Sequence, residues 1–230
     1  ISKVPNEMQK HLGLVYERLR WRRRKGKDSA FEMLKALPDE LPRPELWWRE
    51  KASLARLALR EGHITQAYNL AKSHGLQPGS AAYADAEWLA GWIALRFLKD
   101  HVEARTHFKR MHAAVEYPIS RARAAYWAGR AAEAQKGETA SEVAITWYRK
   151  AAAHPLTYHG QLAFGRLKPN ASLTLPASEF DEISKETVQE FFENELVGVV
   201  KILHDVGQHE LMWPFIRKLY SITDDPGWRA

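Results

Sequence analysis

A helical unit recurs about every 37 positions in this chain, and that recurrence limits what the chain can fold into. Three turn segments mark it: Lys25-Gly26-Lys27, Glu61-Gly62-His63 and Lys99-Asp100-His101. A fourth, Lys136-Gly137-Glu138, falls at the same period. An alanine follows each turn at a similar remove: Ala30, Ala67, Ala104 and, slightly late, Ala144. A two-helix hairpin of that size cannot bury its apolar face alone, so neighbouring hairpins must stack. The expected fold is all-α, a right-handed superhelix (α-solenoid) of stacked helical hairpins resembling tetratricopeptide repeats. Such a pile offers a long concave surface for contact and no compact catalytic pocket.

Local signals fill in the unit. Residues 8–24 read as the first helix, with Leu12, Val15, Leu19 and Arg22 along one stripe. Three prolines within residues 37–44 make a loop, and Pro44 suits a first helical turn. Ser29-x-x-Glu32 and Thr139-x-x-Glu142 have the form of capping boxes. Further helices are expected over 46–61, 64–74, 81–99, 102–115, 118–136, 139–154 and 158–167, with Gly75 as a left-handed cap. Residues 169–178 have loop composition. Helices resume over 185–206 and 209–222, with Gly207 at their turn, 70 residues beyond Gly137 and close to two periods. Residues 1–168 are thus expected to form a repeat domain and 179–230 further helices continuing the superhelix. No sustained period-two alternation signals a strand.

Two stripes report helix packing. Trp88, Gly91, Trp92 and Leu95 share one helix face, and Ala122, Ala125, Gly129 and Ala132 share another. A glycine inside a helix costs about 1 kcal/mol against alanine, so each predicts a close approach by a neighbouring helix. Trp88, Trp92 and Trp127 are expected in the core, with stacking on a sugar ring as the alternative.

Charge is unevenly placed. Residues 1–60 carry 15 Lys/Arg against 8 Asp/Glu, and Arg18 to Lys27 holds seven basic side chains in ten positions. An electropositive face that attracts an anionic polymer is one reading, and a solvated helix face is the other. Tyr16 and Trp21 are too few to make a nucleic-acid stacking platform there. No cysteine is present, which excludes disulfides and thiolate metal sites and agrees with an oxidising compartment. No run of about 20 apolar residues occurs, so no transmembrane segment is expected. The chain opens on Ile1 and reads as a mature or trimmed product. The ten histidines include no i, i+4 pair, and Glu186, Glu190, Glu193 and Glu195 lie along one predicted helix instead of across a cleft. Neither a metal, nor a cofactor, nor a catalytic residue is indicated.

Three blocks carry a family resemblance. Residues 87–98, Glu87-Trp88-Leu89-Ala90-Gly91-Trp92-Ile93-Ala94-Leu95-Arg96-Phe97-Leu98, resemble a segment of the superhelical region of soluble lytic murein transglycosylases. So do residues 120–132, from Ser120-Arg121-Ala122-Arg123 through Tyr126-Trp127-Ala128-Gly129 to Ala132, and Trp147-Tyr148 with Tyr158-His159-Gly160-Gln161. Many members read Tyr-Gly-Gln at the last place, so His159 departs from the pattern. The resemblance covers roughly Arg18 to Leu167, about two thirds of the chain.

The resemblance implies a periplasmic lyase that cleaves the glycan strands of peptidoglycan and closes a 1,6-anhydro ring on the muramic acid. It also implies a catalytic glutamate in a separate C-terminal lysozyme-like domain, marked by Glu-Ser and Gly-Leu-Met-Gln. Neither marker occurs here, so no catalytic residue is carried over. The chain is expected to be the non-catalytic scaffold or substrate-guiding region of such an enzyme. Its partners would be peptidoglycan glycan strands and the catalytic domain of the same polypeptide, with no nucleic acid. Arg22, Arg23 and Arg24 are the candidate glycan contacts, with Tyr158 and His159 as sugar neighbours. The alternative is a stand-alone protein-interaction module of the tetratricopeptide kind, although the period exceeds the usual 34.

Overall fold

The computed structural model describes residues 4–38, 40–173 and 184–222, and these are helical with no strand among them. The predicted loop at 169–178 lies outside the described residues from position 174 onward. The chain divides into two compact units, Ile1–Leu175 and Pro176–Ala230.

The first unit holds ten helices among its described residues: α1 (Asn6–Gln9), α2 (Leu12–Arg24), α3 (Ser29–Lys35), α4 (Pro44–Arg60), α5 (Ile64–Lys72), α6 (Ala81–Ile93), α7 (His101–Ala114), α8 (Pro118–Glu133), α9 (Glu138–Ala152) and α10 (Tyr158–Leu167). From α2 to α10 each helix packs on the one before it, apart from α4, which packs on α2. Contacts α2–α4, α4–α6 and α8–α10, with side-chain stacking between α6 and α8, put the even-numbered helices in one layer. The helices α5, α7 and α9 meet one another through Tyr68–His107 and His112–Trp147 on the other side. This is a pile of hairpins, and the sequence period explains it. The turn between paired helices places a residue at positive φ at Gly26 (62°), Gly62 (84°), Lys99 (58°) and Lys136 (58°). The alanines after those turns, Ala30, Ala67, Ala104 and Ala144, are all buried. A small side chain at these positions lets the second helix of each hairpin pack closely on its neighbours.

The two helix glycines mark the tightest crossings. A Cβ on Gly91 would lie 2.9 Å from the Phe108 ring of α7, and one on Gly129 would lie 2.7 Å from the Tyr148 ring of α9. Leu19, on the predicted stripe of α2, is fully buried, with Leu12 and Val15 packed on the same core.

Several boundaries differ from the sequence reading, each for a local reason. The first helix breaks at Lys10 and His11, where extended His11 accepts a bond from the Gly13 N–H and restarts the helix. Neither capping box forms. Ser29 is already helical and its Oγ accepts from Arg22 Nε at 3.1 Å, while Glu32 pairs with Lys35. Glycine Gly137, at φ 101°, precedes α9 in place of a side-chain cap. The true caps are Ser80, Asp100 and Thr157. The last turn of the α6 rod widens into a π-helical segment, Ala94–Leu98, which brings Phe97 edge-on to Trp92 at 5.3 Å.

The second unit contains α11 (Lys185–Glu193), α12 (Glu195–Asp205) and α13 (Trp213–Ile222), with a 3-10 turn at His209–Leu211. Asn194, extended and bonded to the Leu196 N–H, splits the single helix expected over 185–206. Gly207, at φ 72°, makes the turn the sequence placed there.

The glycine crossing gives a test in which two effects oppose. Helix propensity alone predicts that Gly129→Ala stabilises by about 1 kcal/mol. Packing predicts a loss of about 1–3 kcal/mol, because the Tyr148 ring is pinned through its hydroxyl to Glu133 at 3.0 Å. Urea denaturation is expected to show the loss, and a gain in stability contradicts the crossing.

Candidate binding face

The even-numbered layer presents a row of cationic and aromatic side chains, one clasp at each helix pair. Between α2 and α4, Arg23 grips Glu50, which is only 3% exposed. Between α4 and α6, Asp85 accepts from Trp48 Nε1 at 3.0 Å and pairs with Arg56 at 3.2 Å. Between α6 and α8, the Arg123 guanidinium lies 3.9 Å over the Trp88 ring. Between α8 and α10, His159 stands 5.6 Å from Tyr126, and Tyr158 meets His159 edge-on at 5.1 Å.

Helix geometry builds this row. Trp88 and Trp92, four apart on α6, stack at 5.9 Å with their planes 16° apart. Trp127 meets Trp88 edge-on at 6.3 Å. The three indoles expected in the core are half-buried at its rim, packed on it by one side. The indole N–H groups of Trp88 and Trp127 are buried without a hydrogen-bond partner among the described residues. At the far end, the Thr157 hydroxyl caps α10 through the Gly160 N–H and donates to His154 O at 2.8 Å. Gly160 is required there, since a Cβ would lie 2.0 Å from that same carbonyl oxygen. This tight cap presents Tyr158 and His159, the former 70% exposed.

Electrostatics distinguish the members. Burial, then the Arg123 charge, pushes the His159 imidazole down to about 4, so it is neutral at physiological pH. Burial also lowers Arg123, against the pull of Asp85, yet a guanidinium remains charged.

The candidate contacts from the sequence fall at two places in this unit. Tyr158 and His159 join the row beside Arg123. Arg22 folds back on α3, touching Ser29 and Met33, and Arg23 is committed to Glu50. Arg24 is exposed. Sequence reading missed Arg123, although it sits in the second resembling block. Its i, i+4 neighbour Trp127 and the stacked Trp88/Trp92 pair were the available signal.

Two other features compete for attention. A groove of about 810 Å³ between α3, α4 and α5 is lined by Asp28, Glu32, Lys35, Lys51 and Glu61 among others, charges of both signs with little aromatic surface. A polar cluster joins α5, α6 and α7: His107 Nδ1 lies 2.5 Å from Glu87 Oε2, and its Nε2 lies 3.1 Å from the Tyr68 hydroxyl. His74 accepts from the Leu76 N–H through Nδ1, which leaves Nε2–H facing Glu87 at 3.6 Å. Burial pushes the Glu87 carboxyl up, but the bonds from His107 and His74 outweigh it and hold it at about 2. With Glu87 3% and His107 1% exposed, no substrate reaches this cluster, and its role is to lock three helices together.

Comparison with known protein families, curated proteins and solved structures finds no match to this chain.

Acid should weaken the fold in two steps of known sign. The folded His159 pKa lies below its ordinary 6.5, so the unfolded chain takes that proton first and stability falls as pH drops from 6.5 toward about 4. His159→Phe is expected to flatten that slope, and an imidazole titrating near 6.5 by NMR contradicts it. Glu87 contributes stability that is lost from about 4.5 down to about 2. Glu87→Ala is expected to cost about 3–5 kcal/mol in urea denaturation at neutral pH. A loss below about 1 kcal/mol counts against the lock.

Proposed function

We propose that this chain is a non-catalytic helical region of a periplasmic lytic transglycosylase, following a right-handed superhelical course and guiding peptidoglycan glycan strands toward a catalytic domain elsewhere in the same polypeptide. The observation that supports it is where the family-like blocks fall. They lie on α6, α8 and α9–α10, and they supply Trp88, Trp92, Arg123, Trp127, Tyr158 and His159, the residues of the cationic and aromatic row. Aromatic rings suit the apolar faces of sugars, and fixed cations suit the carboxylates of stem peptides and lactyl groups. Holding and orienting a polymer is the contribution such a row makes, through many weak contacts acting together.

A second reading, protein recognition, draws on Tyr117 and Ile119 at the start of α8 and Leu156 beside α10, which are strongly exposed although α8 and α10 pack together. Purified sacculi separate the two readings. The chain is expected to sediment with sacculi, less so as salt rises, and to release no anhydromuropeptides from them. Release by this chain alone, or absence of sedimentation, contradicts the proposal. Capture of a defined protein partner without sacculus binding favours the second reading.

A further inference from the structure

The clasps along the even-numbered layer follow one rule and then break it. Arg23 has Glu50, and Arg56 has Asp85. At the α6–α8 pair the guanidinium is present and the carboxylate is missing. Arg123 makes no hydrogen bond or ion pair among the described residues, although it is half-buried. Asp85 pulls on Arg123 without pairing with it, because its oxygens are bonded to Arg56 and Trp48; the Arg56 charge opposes that pull, and His159 is uncharged.

The guanidinium is also held in place before any ligand arrives. It lies over the Trp88 ring, which is itself held by stacking on Trp92 and by an edge-on contact with Trp127. A cation fixed by stacking loses little freedom on binding, and a planar fork of N–H donors matches the two oxygens of a carboxylate. Across the α8–α10 contact, Tyr158 stands edge-on to His159 and offers an open ring.

We infer that Arg123, seated on Trp88, is a receptor for the carboxylate of an acidic sugar, whose ring then lies toward Tyr158 across the α8–α10 contact. The inference rests on the glycan reading and deepens it by assigning one charged group of the ligand to one side chain. The missing clasp partner is supplied by the substrate. An acidic peptide also carries carboxylates, but the exposed Tyr158 ring on the neighbouring helix α10 favours a carbohydrate.

The test uses the intact chain with two monosaccharides, N-acetylmuramic acid and N-acetylglucosamine, which differ by a lactyl ether bearing a carboxylate. Tryptophan fluorescence and the arginine Nε–Hε resonances report binding. The acidic sugar is expected to bind about tenfold more tightly. Arg123→Gln should abolish the preference, and Tyr158→Ala should weaken both sugars. Should Arg123→Gln fail to fold, Arg123→Lys keeps the charge without the planar fork and should lose most of the preference. Equal affinities, a preference that survives either Arg123 substitution, or a glutamate-containing dipeptide bound as tightly as the acidic sugar overturns the inference. Sacculus sedimentation with equal monosaccharide affinities overturns this inference and leaves the glycan reading standing. A carboxylate preference without sedimentation overturns the glycan reading and leaves the site.

Discussion

Close approach of helix backbones is the condition on which the first unit rests. Buried alanines after each hairpin turn, and glycines at Gly91 and Gly129, let consecutive helices cross at distances no larger side chain allows. That approach brings the even-numbered helices near enough for side chains on one to clasp the next. Without it, Arg123 would not reach Trp88, nor His159 reach Tyr126. The candidate binding face therefore depends on this tight packing.

Charge is handled differently along the same layer. Glu50 is buried and must keep Arg23, because a buried carboxylate left alone costs far more than the pair contributes. The exposed pair Arg56–Asp85 contributes less, being screened by water. Arg123 follows neither pattern. Its desolvation is offset by the Trp88 ring and by the pull of an Asp85 bonded elsewhere, and the indole N–H groups of Trp88 and Trp127, unpaired among the described residues, add to the cost. These features cost stability without a visible return inside the fold, which is what the proposed ligand site would account for.

Much of the fold was legible in the sequence because it is written in a repeat. The period, the turn positions and the small residues at crossings all follow from what two stacked hairpins need. The failures were local. Ser29 and Glu32 fit a capping pattern, yet Asp28 took a helical conformation and moved the helix start by one residue. Asn194 reads as an ordinary helix-surface residue until its extended backbone splits the rod. Of the residues singled out in the sequence, Tyr158 and His159 stand together with Tyr126 at the α8–α10 contact, whereas the arginine run drew attention by number. Density of charge does not reveal which cation is already paired: Arg23 is, and Arg123 is not. Only tertiary contacts between α6 and α8 distinguish them.

The central claim, that the even-numbered layer is the glycan-binding face, is tested most directly by hydrogen exchange of the intact chain with and without soluble peptidoglycan glycan strands. The account predicts protection concentrated on α6, α8 and the start of α10. Protection confined to α3, α5 and α7, or none at all, contradicts it.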